Sequence, residues 1–414
     1  RSRSADGKVF RRVGIVGDLV KRWKTYTFKD LVKLSKEKYN PKKETLNLPC
    51  IELEHIESET GRLIGIINSN EQESIKNKFQ PGDVLYGKLR PYLKKYYYAE
   101  FEGVCSSEIW VFQARKNVIE NKFLYYLIQS NKFNSHANKS TGTKMPRADW
   151  NYISQVTFKI PPLNEQQKIS TILTAWDKAI ELKEKLIEQK KELKKGLMQK
   201  LLTGEVRFPT FKGEWIKVRL GNLGKTYNGL SGKTAKDFGE GKPYIPYKTI
   251  FDDSKIDINK LEYVKIEENE KQNTVKYGDI FFTTSSETPE EVGMSSVLLE
   301  EVDEVYLNSF CFGYRLNDFN QLLPEFARYL FRSDVFRRKI FKLAQGSTRF
   351  NISKNEIMKI EVLIPSVEEQ KVIAEVLSKI DTQIKLLQHE VIYLKEQKKG
   401  LMQLLLTGKI RVKV

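Results

Sequence analysis

The sequence predicts an α+β protein built twice over. An α/β domain is followed by a long helix, then a second such domain by a second helix, the helices forming an antiparallel coiled coil in a pseudo-two-fold internal repeat. Three observations carry this. Residues 160–208 and 364–412 match at a constant offset of 204 without a gap, with 22 of 49 positions identical. Each matched segment has the spacing of a long helix. The regions between them share a frame of turns and apolar runs. A repeat at fixed offset decides the architecture before any single element does.

The helices come first. In the second copy Ile373, Leu377, Ile380, Ile384, Leu387, Val391, Leu394, Lys398, Leu401 and Leu405 follow a 4,3 spacing, and all but Lys398 are apolar. That is a coiled-coil seam. Ser366 with Glu369 predicts a capping box at its start, and Gly408 a left-handed C-terminal cap. The first copy keeps Ile169, Leu173, Trp176, Ile180, Ile187, Leu197 and Leu201 but sets Lys183, Lys190 and Lys194 on the same seam. About 38 residues at a 1.5 Å rise make a helix of roughly 57 Å. Shared heptads would explain matching apolar positions. They would not explain Lys-Lys-Gly-Leu-Met-Gln followed by Leu-Leu-Thr-Gly at one distance from an Ile-Pro.

The domains repeat more loosely. Residues 1–20 are set aside as an appended N-terminal extension; 21–160 form the first domain, 161–208 its helix, 209–363 the second domain and 364–414 the last helix. Trp23 aligns with Trp215, Phe28 with Leu220 and Leu31 with Leu223. A Gly-Asp turn opens an apolar strand in both, at 82–83 and 278–279. Strands follow in 105–114 and 308–316, then a short helix in 123–133 and 326–336. Gly142 matches Gly346, Ile153 matches Ile357 and Val156 matches Ile360, again 204 apart. Domains that keep a frame but differ in their loops look like two readers with different targets.

Charge points to the partner. Lys and Arg exceed Asp and Glu by 71 − 53 = 18, which favours a polyanion whose neutralised phosphates release counterions. Cys50, Cys105 and Cys311 are too scattered for a disulfide framework and suit a reducing, cytoplasmic setting. No apolar run reaches 18 residues, so no membrane span is expected.

Catalytic signatures are missing. His55, His136 and His389 are isolated and no Cys-x-x-Cys exists, so no metal site is expected. Gly229–Thr234 resembles a phosphate loop, but the first glycine of that motif would fall on Tyr227. A basic glycine-rich loop carrying Lys233 is the better reading. No cofactor loop and no nucleophilic triad stands out, so no catalytic or cofactor-binding residue is assigned.

Binding remains. In the first domain Lys88, Arg90, Tyr92, Lys94 and Lys95 interleave cations with an aromatic ring, a pattern suited to phosphate and base contacts. Thr143, Lys144 and Arg147 follow the Gly142 turn. In the second domain Thr284 and Ser285 replace the basic span, and Ser347, Thr348, Arg349 and Asn351 follow Gly346.

With these residues in view, the sequence resembles the specificity subunit of type I restriction–modification enzymes. The resemblance rests on the Pro-x-x-x-Glu-Gln helix starts at Pro161 and Pro365 and on the Lys-Lys-Gly-Leu-Met-Gln ends with Leu-Leu-Thr-Gly. The Arg-Phe-Pro…Gly-Glu-Trp junction at 207–215 and the Gly-Asp-Val-Leu and Leu-Arg-Pro-Tyr strings at 82–92 add to it; the second domain has no Leu-Arg-Pro-Tyr. The resemblance implies two target recognition domains, each reading half of a split double-stranded DNA site, with the helices as spacer. It implies docking of two DNA adenine methyltransferase subunits and, through them, of restriction–translocation subunits. S-adenosylmethionine, ATP and magnesium would then belong to those partners. Alternatives are the recognition subunit of a modification-only or bifunctional system, and a basic coiled-coil scaffold binding proteins.

If the helices set the spacing of the half-sites, deleting one heptad from the first shortens it by roughly 10 Å and shifts the preferred spacer. Selection from duplexes of graded spacer length tests this; an unchanged preference would defeat it.

Overall fold

The computed structural model of the chain describes residues 23–139 and 145–413. It divides into two units. The first takes the chain up to Glu184 together with the part from His389 on, and the second spans Lys185–Gln388. Each unit therefore holds one domain, the first half of the helix that follows it and the last part of the other long helix.

The long helices run Leu163–Leu201 and Val367–Leu406, of 39 and 40 residues, close to the length expected. Both end at a left-handed glycine, Gly204 with φ 73° and Gly408 with φ 72°. The predicted capping box forms by half. Ser366 accepts the Glu369 N–H at 3.4 Å, but the Glu369 carboxylate turns to Arg207 instead.

In the first unit Arg411 meets Glu165, Lys398 meets Asp177 and Lys183 meets Glu390, so the two helix segments are antiparallel. In the second Arg207 meets Glu369 and Lys194 meets Asp381, with the same sense. The lysine at 194, out of place on an apolar seam, thus has a carboxylate opposite it. So does its equivalent Lys398, and both aspartates also accept a buried tyrosine hydroxyl, Tyr126 at 2.7 Å and Tyr329 at 2.8 Å.

The domains share a four-stranded antiparallel sheet. In the first unit its order is Val32–Leu34, Ile109–Ala114, Val84–Gly87, Tyr96–Tyr98. In the second it is Gly224–Asn228, Cys311–Leu316, Ile280–Thr283, Ser295–Val297. First and last strands of each domain pair, Lys24–Thr27 with Thr157–Ile160 and Ile216–Arg219 with Glu361–Ile364. A second sheet, five-stranded in one and three-stranded in the other, carries a parallel pair in both. Where one short helix is expected after the sheet there are two, Asn121–Leu127 and Asn131–Ala137, then Pro324–Leu330 and Asp334–Phe341. Ser130 and Ser333 break the run because their hydroxyls cap the second helix. Among the described residues no helix is long and apolar enough to cross a membrane.

Each core runs from the domain into both helix segments. Phe28, Tyr86, Phe112, Phe123 and Phe133 pack with Ile169, Leu173, Met402 and Leu405 in the first unit. Phe282, Phe312, Phe326 and Phe336 pack with Leu201, Leu202, Ile373 and Leu377 in the second.

The Gln of each Pro-x-x-x-Glu-Gln string joins helix to domain. Fully buried Gln370 donates to Gln321 O at 2.7 Å and Pro365 O at 2.9 Å and accepts from Leu323 N at 2.9 Å. Gln166 repeats this with Val118 O, Pro161 O and Glu120 N at 2.9, 2.8 and 2.8 Å. Removing such an amide strands buried backbone groups. Gln370→Ala is expected to destabilise its unit by about 2–4 kcal/mol, read from the urea midpoint. An unchanged midpoint would mean that solvent replaces the amide without loss.

Candidate nucleic-acid interface

The Gly-Asp turn opens an inner strand of the four-stranded sheet in each domain. Gly82 with φ 90° and Gly278 with φ 83° take the left-handed region that favours glycine. Asp83 accepts from Gln80 N at 2.9 Å, and Asp279 from Lys276 N at 2.8 Å. Asp279 is also held by Arg315 at 2.8 and 2.6 Å. The motif is a structural one, and both aspartates are buried.

Beyond the strand, the chain forms a small frame that is the same in both units. In the first, Lys88 N donates to Glu108 O at 2.9 Å, Ala148 N to Lys88 O at 2.8 Å, and Leu89 lies opposite Arg147. In the second, Thr284 N donates to Phe310 O at 3.0 Å, Ile352 N to Thr284 O at 3.0 Å, and Ser285 lies opposite Asn351. Counting from the Gly-Asp turn, Lys88 corresponds to Thr284 and Arg90 to Ser286. Arg147 and Asn351 stand 204 apart.

The side chains on that frame differ. Arg90 has φ 51°, is exposed, and its guanidinium has no partner among the described residues. A non-glycine residue in this region is strained by about 1–2 kcal/mol, and such strain clusters at functional sites. It is held by Arg90 N on Pro146 O at 2.8 Å and by the short turn Pro91–Leu93 behind it. Tyr92 stands out from that turn, 54% exposed. Arg147 pairs with Glu108 through Nε at 3.0 Å and Nη2 at 3.2 Å, and Lys88 Nζ lies 4.0 Å from the same carboxylate. That pairing raises the Arg147 pKa.

Other expected contacts are placed differently. Lys94, with φ 47°, ties to Glu59. Lys95 donates to Leu53 O at 2.7 Å, and burial lowers its pKa against the pull of Glu54. Both are engaged within the domain. Lys233 is 7% exposed and paired with Glu270, in a loop closed by Thr234 on Asp237. It braces that loop and offers no free cation. In the second unit Thr284 gives its hydroxyl to Phe310 O at 2.8 Å, while Ser347, Thr348, Arg349 and Asn351 are exposed together after Gly346. Thr143 and Lys144 lie outside the described residues.

Glu108 and Phe310 were not among the expected contacts, yet they occupy one position. Ser106 and Asn308 each start the turn that carries them, accepting the N–H of Glu108 at 3.4 Å and of Phe310 at 2.8 Å through the side chain. The signal available was the Ser/Asn-Ser pair before each strand. Among the described residues no group of three or more His, Cys, Asp or Glu side chains could hold a metal ion.

Comparison with known proteins agrees with this geometry. The sequence matches the type I restriction modification DNA specificity domain twice, over residues 20–192 and 212–396. It is 26% identical over 374 residues to the type I restriction enzyme MjaVIII specificity subunit of Methanocaldococcus jannaschii, covering 84% of this chain and 81% of that one. Two solved structures share the fold at 20% identity. One, from work on complex assembly and conformational transition of a type I R-M system, has a TM-score of 0.63 over 94% of this chain and 98% of that one. The HsdS subunit from Thermoanaerobacter tengcongensis has 0.51 over 94% and 97%. With two copies of the domain over most of its length, the chain belongs to the type I restriction–modification DNA specificity family and is the non-catalytic, DNA-recognising component of such a system.

Proposed function

We propose that the chain reads an asymmetric DNA site in two parts, one part per unit, and presents that site to two DNA adenine methyltransferase subunits. The observation that carries this is the shared frame with exchanged side chains. Lys88, Arg90 and Arg147 in one reader stand where Thr284, Ser286 and Asn351 stand in the other. A common backbone docks alike on DNA, and different side chains select different bases.

Docking of one kind of partner twice is supported by positions that repeat without a role inside the chain. Leu182 and Leu386 are exposed at 53% and 58%. Gly196 and Gly400 sit within long helices, where glycine costs about 1 kcal/mol against alanine, and nothing lies within 4 Å of where a Cβ would stand. The methyltransferases would carry S-adenosylmethionine. Restriction subunits joined through them would carry ATP and magnesium, and the assembly would work in the cytoplasm.

Selection from a randomised duplex pool, by the full chain with and without its methyltransferase, tests the reading. A split motif with a fixed spacer is expected, and changing that spacer by one base pair is expected to cost roughly tenfold or more in affinity. Equal affinity across spacers would defeat it.

Arg90→Ala is expected to weaken specific binding by about 1–3 kcal/mol and relax one half-site only. Arg90→Gly is expected to lose the same binding while the fold gains about 0.5 kcal/mol as left-handed strain is relieved. Equal loss on every sequence would reduce Arg90 to a phosphate contact.

A further inference from the structure

We propose that Glu108 and Phe310, one backbone position in two units, determine the specificity of the two readers, with Glu108 acting as a positioning residue for Arg147. The inference rests on the DNA-reading role above and extends it to residues that carry no positive charge.

The position is built alike in both units. Ile109 N donates to Ser106 O at 3.0 Å and Cys311 N to Asn308 O at 3.1 Å, closing the same turn. The carbonyl at 108 or 310 then receives the N–H of Lys88 or Thr284. The side chain is thereby held beside the strand that carries the other contacts. The residues that follow it, Ile109 and Cys311, are buried, whereas this side chain can vary without disturbing a core.

Its chemistry is opposite in the two units. Glu108 puts a carboxylate among Arg147 and Lys88. Facing DNA, a carboxylate repels phosphate. By taking Nε and Nη2 of Arg147 it also fixes the plane of that guanidinium, leaving its far edge for a base. Without Glu108, Arg147 would be a mobile cation able to take any phosphate. Phe310 is 61% exposed, its carbonyl accepts from Thr284 at 2.8 Å, and it has no aromatic partner among the described residues. An apolar ring there suits a thymine methyl.

The test uses the full chain with its methyltransferase, selected on a randomised duplex pool beside the wild type. Glu108→Gln is expected to raise affinity for random duplex several-fold and flatten base preference in the first half-site, leaving the second unchanged. In an Arg147→Ala background the same change is expected to have little further effect on base preference. Phe310→Ala is expected to flatten preference in the second half-site alone. If Glu108→Gln strengthens binding to all sequences with base preferences intact, Glu108 is only a surface charge and the proposal fails for it. Intact preferences in Phe310→Ala overturn it for the second unit. A wild-type complex that selects no motif would instead overturn the DNA-reading role itself, and this proposal with it.

Discussion

At the start of each long helix a buried carboxylate and a buried amide stand side by side, Glu165 with Gln166 and Glu369 with Gln370, and they face different parts of the chain. The amide holds the domain that precedes its helix. The carboxylate holds the arginine that follows the other helix, 246 residues away for Glu165 and 162 for Glu369. A carboxylate 1–3% exposed would cost several kcal/mol if left unpaired. Neither helix start is therefore stable without the tail of the other helix. Asp177 with Lys398 and Asp381 with Lys194 repeat the dependence about three turns further on. The first unit cannot be completed until the last residues of the chain are in place.

This constraint explains what diverged and what did not. Both ties use residues identical in the two copies: Glu165 and Glu369, Arg207 and Arg411, Asp177 and Asp381, Lys194 and Lys398. The cap glycines belong to the same set. A Cβ at Gly408 would meet the Trp23 ring at 3.3 Å, and one at Gly204 the Trp215 ring at 3.5 Å. The readers lie under no such restriction. Their frame is held by backbone hydrogen bonds, which are indifferent to side-chain identity, and lysine can become threonine on it without loss of a partner.

The division between what was legible in the sequence and what was not follows the same line. Periodicity and fixed offset disclose the helices because every turn of a seam repeats the evidence. The Gly-Asp turns were legible because only glycine takes that backbone easily. Side-chain destinations were not legible, since they depend on neighbours far off in sequence. Lys194 on the seam makes sense only with Asp381 opposite, and Lys233 is spent on Glu270. Glu369 offered a capping box and went to Arg207. Lys88, Arg90 and Arg147 do come together, which sequence proximity could suggest only for the first two. Glu108 was not legible because a run of cations in the sequence does not disclose the distant carboxylate that organises them.

Net charge and specificity are in this way separable on the molecule. The excess of 18 positive charges supplies attraction to any duplex. Yet many lysines are locally paired, such as Lys242 with Glu304, Lys255 with Glu300 and Lys265 with Glu240. Paired surface charges add little stability and mute attraction at close range. At three positions of the shared frame the readers differ by cations, Lys88, Arg90 and Arg147 against Thr284, Ser286 and Asn351, while the second keeps one exposed arginine, Arg349. The first reader can therefore draw on charge at contact. The second must rely more on shape, hydroxyls and one exposed ring, and its half-site is the one whose recognition salt should disturb least.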